Sequence, residues 1–266
     1  MAHLRFLGVA AYELINSRGQ RILLDPYIDS SPGCPVKSTE FDRVDLICVT
    51  HAAPDHYGDT FAIAQRTGAR VVCGADVKQD LIARGLPGSQ ITATCWNIRV
   101  EVAGIQVHPL ECHHWSHLKL PNRGDEPGTF ITGVPMAFII HVDEGIRFYH
   151  YGDTALFSDL KLQGDLYKPT HAAIGITQPW EIVWMMEGPD RVLTGEMNPY
   201  EGFLAAQWLQ APVVFPCHYL DPDHADVREF EQYFVNHREA GNGSDRPVLP
   251  QSVVLKPGEW YEMNAQ

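Results

Sequence analysis

The chain has 266 residues, 45% hydrophobic and 20% charged, with 20 Lys+Arg against 33 Asp+Glu and a formal net charge of −13. This length and apolar fraction support a packed core and argue against disorder, collagen-like repeats or a disulfide scaffold. The acidic balance repels phosphate backbones and anionic lipid. With no Lys/Arg run to override it, neither nucleic acid nor a membrane is expected as a partner.

The six cysteines, at 34, 48, 73, 95, 112 and 217, form no Cys-x-x-Cys pair. Cys48 and Cys73 lie in apolar runs, which reads as reduced core thiols in a cytoplasmic protein. No stretch approaches the roughly 18 apolar residues of a membrane span. The opening residues, cut short by Glu13, run into strand-like sequence and read as part of the fold.

In chain order, strands are predicted over 4–7 and 12–15, with a turn at Ser17-Arg18-Gly19 and a returning strand over 21–24 ending at Asp25-Pro26. The almost wholly apolar run 45–50 predicts a strand buried on both faces. A helix over 61–66, capped by Asp59 or Thr60 and closed by Gly68, precedes a strand over 71–73. A second helix follows over 77–84, between Asp76 and Gly85. Two strands are expected within 97–110, and a hairpin of 136–142 with 146–151 turns about Asp143-Glu144-Gly145. Asn198-Pro199 is a cap followed by a first-turn proline for a helix reaching about residue 210. A buried strand over 213–216 and a helix over 226–237 complete the series. The order suits sheets covered by helices, an α+β arrangement in one domain spanning 1–266.

Histidine and aspartate collect just past the predicted strands. The 45–50 strand runs into His51-Ala52-Ala53-Pro54-Asp55-His56-Tyr57-Gly58-Asp59, where Pro54 and Gly58 predict a loop. Imidazoles and a carboxylate converging on such a loop suit Zn²⁺ or a similar borderline ion. Three more segments repeat the pattern: His113-His114-Trp115-Ser116-His117, Gly152-Asp153-Thr154 and Cys217-His218-Tyr219. Each has a plainer reading. Asp55 can cap its loop, Asp153 or Thr154 can cap a helix over 155–160, His218 can be a satisfied core histidine, and the 113–117 cluster can be an exposed polar loop. The coincidence of all four weakens these readings together.

Taken in order, Phe6-Leu7-Gly8, Leu23-Leu24-Asp25-Pro26, Thr50-His51, the His113 region, Tyr151-Gly152-Asp153-Thr154 and Pro216-Cys217-His218-Tyr219 make the chain similar to the metallo-β-lactamase superfamily. Within it, the chain resembles the UlaG-like branch of metal-dependent hydrolases. The resemblance implies a four-layer αβ/βα sandwich with a two-metal site at the upper edge of its sheets. It also implies that His51 and His113 serve a first metal, that Asp55, His56 and His218 serve a second, and that Asp153 bridges them. His113 is preferred to His114 because strand alternation from Val107 through Glu111 puts it on the ligand face.

The chemistry implied is attack by a metal-activated water, with Asp55 as the catalytic residue that holds metal and handles the water's proton. One or two divalent ions are expected, Zn or Mn first and Fe also fitting. The branch includes a sugar-phosphate lactonase, which makes a small-molecule lactone or amide the expected substrate, and it is compatible with a homo-oligomer. Phosphodiesters fit the acidic chain less well.

Two departures bear on the first site. The family loop is His-x-His-x-Asp-His, and Ala53 stands at its second histidine. Val9 stands where the branch usually carries a histidine after the opening glycine. Water, His114 or His117 could complete the thinned first site, and a catalytically degenerate binding protein is the alternative. Trp180, Trp184, Met185 and Met186 are candidates for an apolar pocket wall.

Overall fold

The computed structural model describes residues 1–119, 130–177, 195–239 and 249–265. Two seven-stranded sheets face each other. The first runs, in spatial order, β16 (Trp260–Met263), β1 (Ala2–Gly8), β2 (Ala11–Ile15), β3 (Arg21–Leu24), β4 (Leu46–Cys48), β5 (Arg70–Cys73) and β6 (Ile91–Ala93). The second runs β15 (Gln251–Ser252), β14 (Val213–Cys217), β13 (His171–Gly175), β12 (Ile146–His150), β11 (Met136–Asp143), β8 (Ile105–Glu111) and β7 (Val100–Val102). A two-stranded ribbon, β9 (Ser116–Lys119) with β10 (Phe130–Gly133), stands apart.

The main core lies between the sheets. Leu4, Phe6, Tyr12 and Leu24 from the first meet Phe138, Ile140, Phe148 and Phe215 from the second. A second core, with Leu23, Ile47 and Val71 on one side and Ile63, Val77 and Leu81 on the other, seats α2 (Thr60–Thr67) and α3 (Ala75–Ala83) on the outer face of the first sheet. The central strands are buried on both faces, which explains their nearly continuous apolar sequence. Helices α4 (Leu160–Tyr167), α5 (Pro199–Leu209) and α6 (Ala225–Glu239) cover the second sheet, and the result is a layered αβ/βα sandwich.

The strand directions matter for function. β3, β4 and β5 run parallel, as do β12, β13 and β14. β11 is antiparallel to both β8 and β12, so β8 and β12 point the same way. The carboxyl ends of β8, β12 and β14 therefore share one edge. Backbone bonds tie the sheets together at that edge: His218 N–H to Val9 O at 2.7 Å, Val9 N–H to Tyr219 O at 3.2 Å, and Met136 N–H to Thr50 O at 3.1 Å. Val9 is thus a buried, left-handed link between the sheets (φ +54°).

Local departures from the predicted elements have physical causes. The 51–59 loop contains a single helical turn, α1 (Pro54–Tyr57), because Pro54 falls at the first position, where its missing N–H costs nothing. Asp59 is the N-cap residue of α2, but its side chain makes no capping bond there. Its carboxylate accepts the N–H groups of Ile28 and Asp29, both at 2.9 Å. The helix expected over 155–160 starts only at Leu160. Thr154 is occupied elsewhere, its hydroxyl accepting His113 N–H at 2.8 Å. Trp180, Trp184, Met185 and Met186 lie outside the described residues.

Candidate metal centre

Four strand ends deliver the cluster. His51 follows β4, with Asp55 and His56 on α1; His114 follows β8, Asp153 follows β12 and His218 follows β14. Two groups result: Asp55, His56, Asp153 and His218, and beside it His51, His114 and Asp153. The candidate ligand atoms of each group lie within 4.8 Å of one another. Asp153 belongs to both. Its Oδ2 lies 2.9 Å from His56 Nε2, 3.5 Å from His218 Nε2, 3.8 Å from His51 Nε2 and 3.9 Å from His114 Nε2. Asp55 Oδ2 is 3.6 Å from His218 Nε2 and 3.8 Å from His56 Nε2.

Each imidazole is fastened by its other nitrogen. His114 Nδ1 faces Gly195 O at 3.0 Å and His218 Nδ1 faces Thr177 O at 2.9 Å, so both Nδ1 atoms donate. His56 Nδ1 donates to Asp25 Oδ2 at 2.7 Å. Thr50 gives its hydroxyl proton to Asp25 Oδ2 at 2.7 Å, which leaves its oxygen to accept His51 Nδ1–H at 3.0 Å. All four Nε2 atoms are thereby turned to the centre. Those of His51, His56 and His218, together with Asp153 Oδ1, are buried and receive or make no hydrogen bond. The close approach of His56 Nε2 to Asp153 is not a well-formed hydrogen bond either. Buried polar atoms normally find partners. A set left open at one point, with its outer nitrogens anchored, has the donor chemistry and second-layer support of a divalent metal site.

The electrostatics agree. Burial would raise the Asp153 and Asp55 carboxyls, but the neighbouring imidazoles outweigh it and hold both below the usual carboxylate range. Burial would lower His56 and His218, yet the surrounding carboxylates keep both raised, His56 strongly. Burial together with His56 and His114 pushes His51 well down. Burial and the Asp153 carboxylate beside it push the Glu196 carboxyl well up.

His113 is not brought into the cluster; His114 is. β8 ends at Glu111, so strand alternation does not extend to 113. The His113 ring is half-exposed, stacked on Phe157 at 4.2 Å, with Nε2 3.2 Å from Glu111 Oε1. His117 lies on β9, outside both groups. His51, Asp55, His56, Asp153 and His218 do converge.

The residue whose role sequence reasoning missed is Asp25. Fully buried, it accepts Thr50 N–H at 2.8 Å, Thr50 O–H and His56 Nδ1, and also His150 Nε2 at 2.9 Å. Its signal was an acid placed directly after an apolar strand.

Residues 20–219 match the family model of the β-lactamase superfamily domain. A UPF0173 metal-dependent hydrolase of Thermococcus onnurineus is 32% identical over 99% of this chain and 100% of that protein. Another, from Symbiobacterium thermophilum, is 33% identical over 98% and 99%. Among solved structures the chain is similar to Igni18, a metallo hydrolase of Ignicoccus hospitalis, at 25% identity and a TM-score of 0.74, with 99% of each chain covered. With an Asp/His cluster fit for a metal at the sheet edge, the chain belongs to the metallo-β-lactamase superfamily and, within it, to the UPF0173 metal-dependent hydrolases.

Proposed function

We propose that the protein hydrolyses a small-molecule lactone or amide with one or two divalent metal ions, Zn²⁺ or Mn²⁺, in the manner of the UlaG-like branch. The observation that carries this reading is the set of anchored imidazoles whose Nε2 atoms meet the Asp55 and Asp153 carboxylates without hydrogen-bonding to one another. His51, His114 and Asp153 would hold one ion and Asp55, His56, His218 and Asp153 the other. A bound ion supplies Lewis acidity and lowers the pKa of a coordinated water toward about 7.

The chain's own groups do the rest. Asp55 presents a carboxylate kept ionised by His56 and His218, placed to orient a water and accept its proton. Asp25 and Thr50 fix the His56 and His51 rings before charge develops. Beside His114 opens a cavity of about 620 Å³ walled by Trp96, Trp115, Val134 and Pro135, with Ala155 and Cys112. Trp96 Nε1 is already committed to Pro135 O at 2.6 Å, so the ring offers mainly apolar surface. Glu111 and His113 also line the cavity and no Lys or Arg among the described residues does, which disfavours a phosphorylated substrate. Six free cysteines, four of them buried, fit a reducing cytoplasmic setting.

The test is turnover of a lactone, amide and phosphodiester panel by metal-loaded protein. Asp55→Ala should abolish hydrolysis, at least about 10³-fold, while circular dichroism shows the fold retained. Retained turnover in that variant would overturn the assignment of Asp55, and phosphodiester preference would overturn the substrate class.

A further inference from the structure

The stretch His113-His114-Trp115-Ser116-His117 carries one hydroxyl, and Ser116 is buried. Ser116 Oγ donates its proton to Asp76 Oδ2, which leaves an oxygen lone pair to accept Ala52 N–H at 3.0 Å. Asp76 is buried as well. The two partners lie 40 and 64 positions away along the chain, so neither bond is a local turn or cap.

The three residues come from different parts of the molecule. Ala52 directly follows His51, beyond β4 of the first sheet, whereas Ser116 stands two residues after His114, beyond β8 of the second. Asp76 lies in the first turn of α3, on the outer face of the first sheet. One hydroxyl thus joins the loops of His51 and His114, whose rings stand 4.9 Å apart edge to face, and ties both loops to a helix. The Asp76 carboxylate has little room to shift. Gly133 pairs with Ser116 in the ribbon, and a Cβ at Gly133 or at Gly74 would run into that carboxylate. Between His51 and α1 stand only Ala52 and Ala53, so no side chain there can be gripped by an ion. What fastens this stretch toward His114 is the Ala52 N–H.

His51 and His114 can serve one ion only while their ligand atoms keep the spacing at which they stand with Asp153. We propose that Ser116, braced by Asp76, is a positioning residue for that ion, setting the spacing of the two histidines through the backbone at Ala52. This rests on the metal-dependent reading above.

The full-length protein, freed of metal, is titrated with Co²⁺, whose visible absorption reports each ion as it binds. His51→Ala identifies the ion in question by its loss. Ser116→Ala should weaken that ion at least about tenfold, and any ion at Asp55, His56 and His218 by less than about twofold. A Ser116 that merely stabilises the fold would lower the melting temperature and leave the affinity unchanged, which overturns the proposal, as does equal weakening of two ions. If His51→Ala loses no ion, the proposal falls, and the hydrolase reading stands provided Asp55→Ala does lose one. No Co²⁺ bound by wild type overturns both. Should Ser116→Ala fail to fold, Ser116→Cys keeps a side chain of similar shape but offers Ala52 only a weak acceptor. The same ion should then bind at least about threefold more weakly, and an unchanged affinity sinks the proposal.

Discussion

Thr50 has one hydroxyl proton and gives it to Asp25, which also takes Nδ1–H of His56 and Nε2–H of His150. One buried carboxylate thereby sets the direction of two of the four imidazoles in the cluster, His56 directly and His51 through Thr50. Without metal, protons serve as the counter-charge to Asp55 and Asp153, which is why His56 and His218 are held above the usual imidazole range. For a histidine raised in this way, the stabilisation is full below the unfolded value of about 6.5 and is lost as pH climbs through the higher folded value. Metal and proton compete for the same Nε2 lone pairs. Zn²⁺ affinity should therefore fall as pH is lowered from about 8 to 6, by up to about tenfold per unit for each proton displaced. Calorimetric titrations in two buffers of different ionisation enthalpy would show the released protons. Binding without proton release would mean that these rings do not receive the ion.

At the level of the elements, His51, His114, Asp153 and His218 sit in the first residues after a strand, and Asp55 and His56 follow β4 on the single helical turn α1. The Asp153 segment is the tightest case. Gly152 has φ +66°, and a Cβ there would stand 2.1 Å from Met136 O. Met136 N–H also bonds Thr50 O, next to His51, so crowding at 152 is passed to the neighbouring ligand. Asp153 itself is left-handed, at φ +53°. Gly152→Ala should cost about 1–2 kcal/mol from the backbone alone, more with the clash. It should weaken metal binding as well, which parallel thermal melts with and without Zn²⁺ would measure. Loss of stability with unchanged metal affinity would show that the Asp153 turn is decoupled from the site.

Across the molecule, the cluster joins the two sheets. β4 and α1 come from the first, whereas β8, β12 and β14 come from the second, and few backbone bonds other than those at Val9, Thr50 and Met136 cross that edge. An ion gripped from both sides binds only the closed sandwich, so it stabilises the fold by mass action. At a thousandfold excess over its dissociation constant, the gain is about 4 kcal/mol. For a chain of this size, chelation should lower the melting temperature by about 10 °C. A chelator-insensitive melting curve would mean that the ion, if bound, does not link the halves.

The strands and helices were legible because their signals are local. The 45–50 and 213–216 runs are apolar since both faces are covered, and Asn198-Pro199 announces its helix by capping chemistry alone. The central strand β13 and the short strands β6, β9, β10, β15 and β16 went unread, the short ones because distant pairing partners define them. The residue types of the site, and five of its positions, could also be read, since His and Asp collect after strands.

The choice between His113 and His114 could not. Both are histidines in one loop, and what separates them is tertiary: Phe157 and Glu111 draw one ring outward, while Gly195, 81 positions further on, fastens the other inward. Asp25 became a site residue for the same reason. The sequence by itself determined the donor chemistry and the strands that carry it. Only the packing of one sheet on the other decided which donors meet, because a ligand set is defined by distances of a few ångströms between segments far apart in the chain.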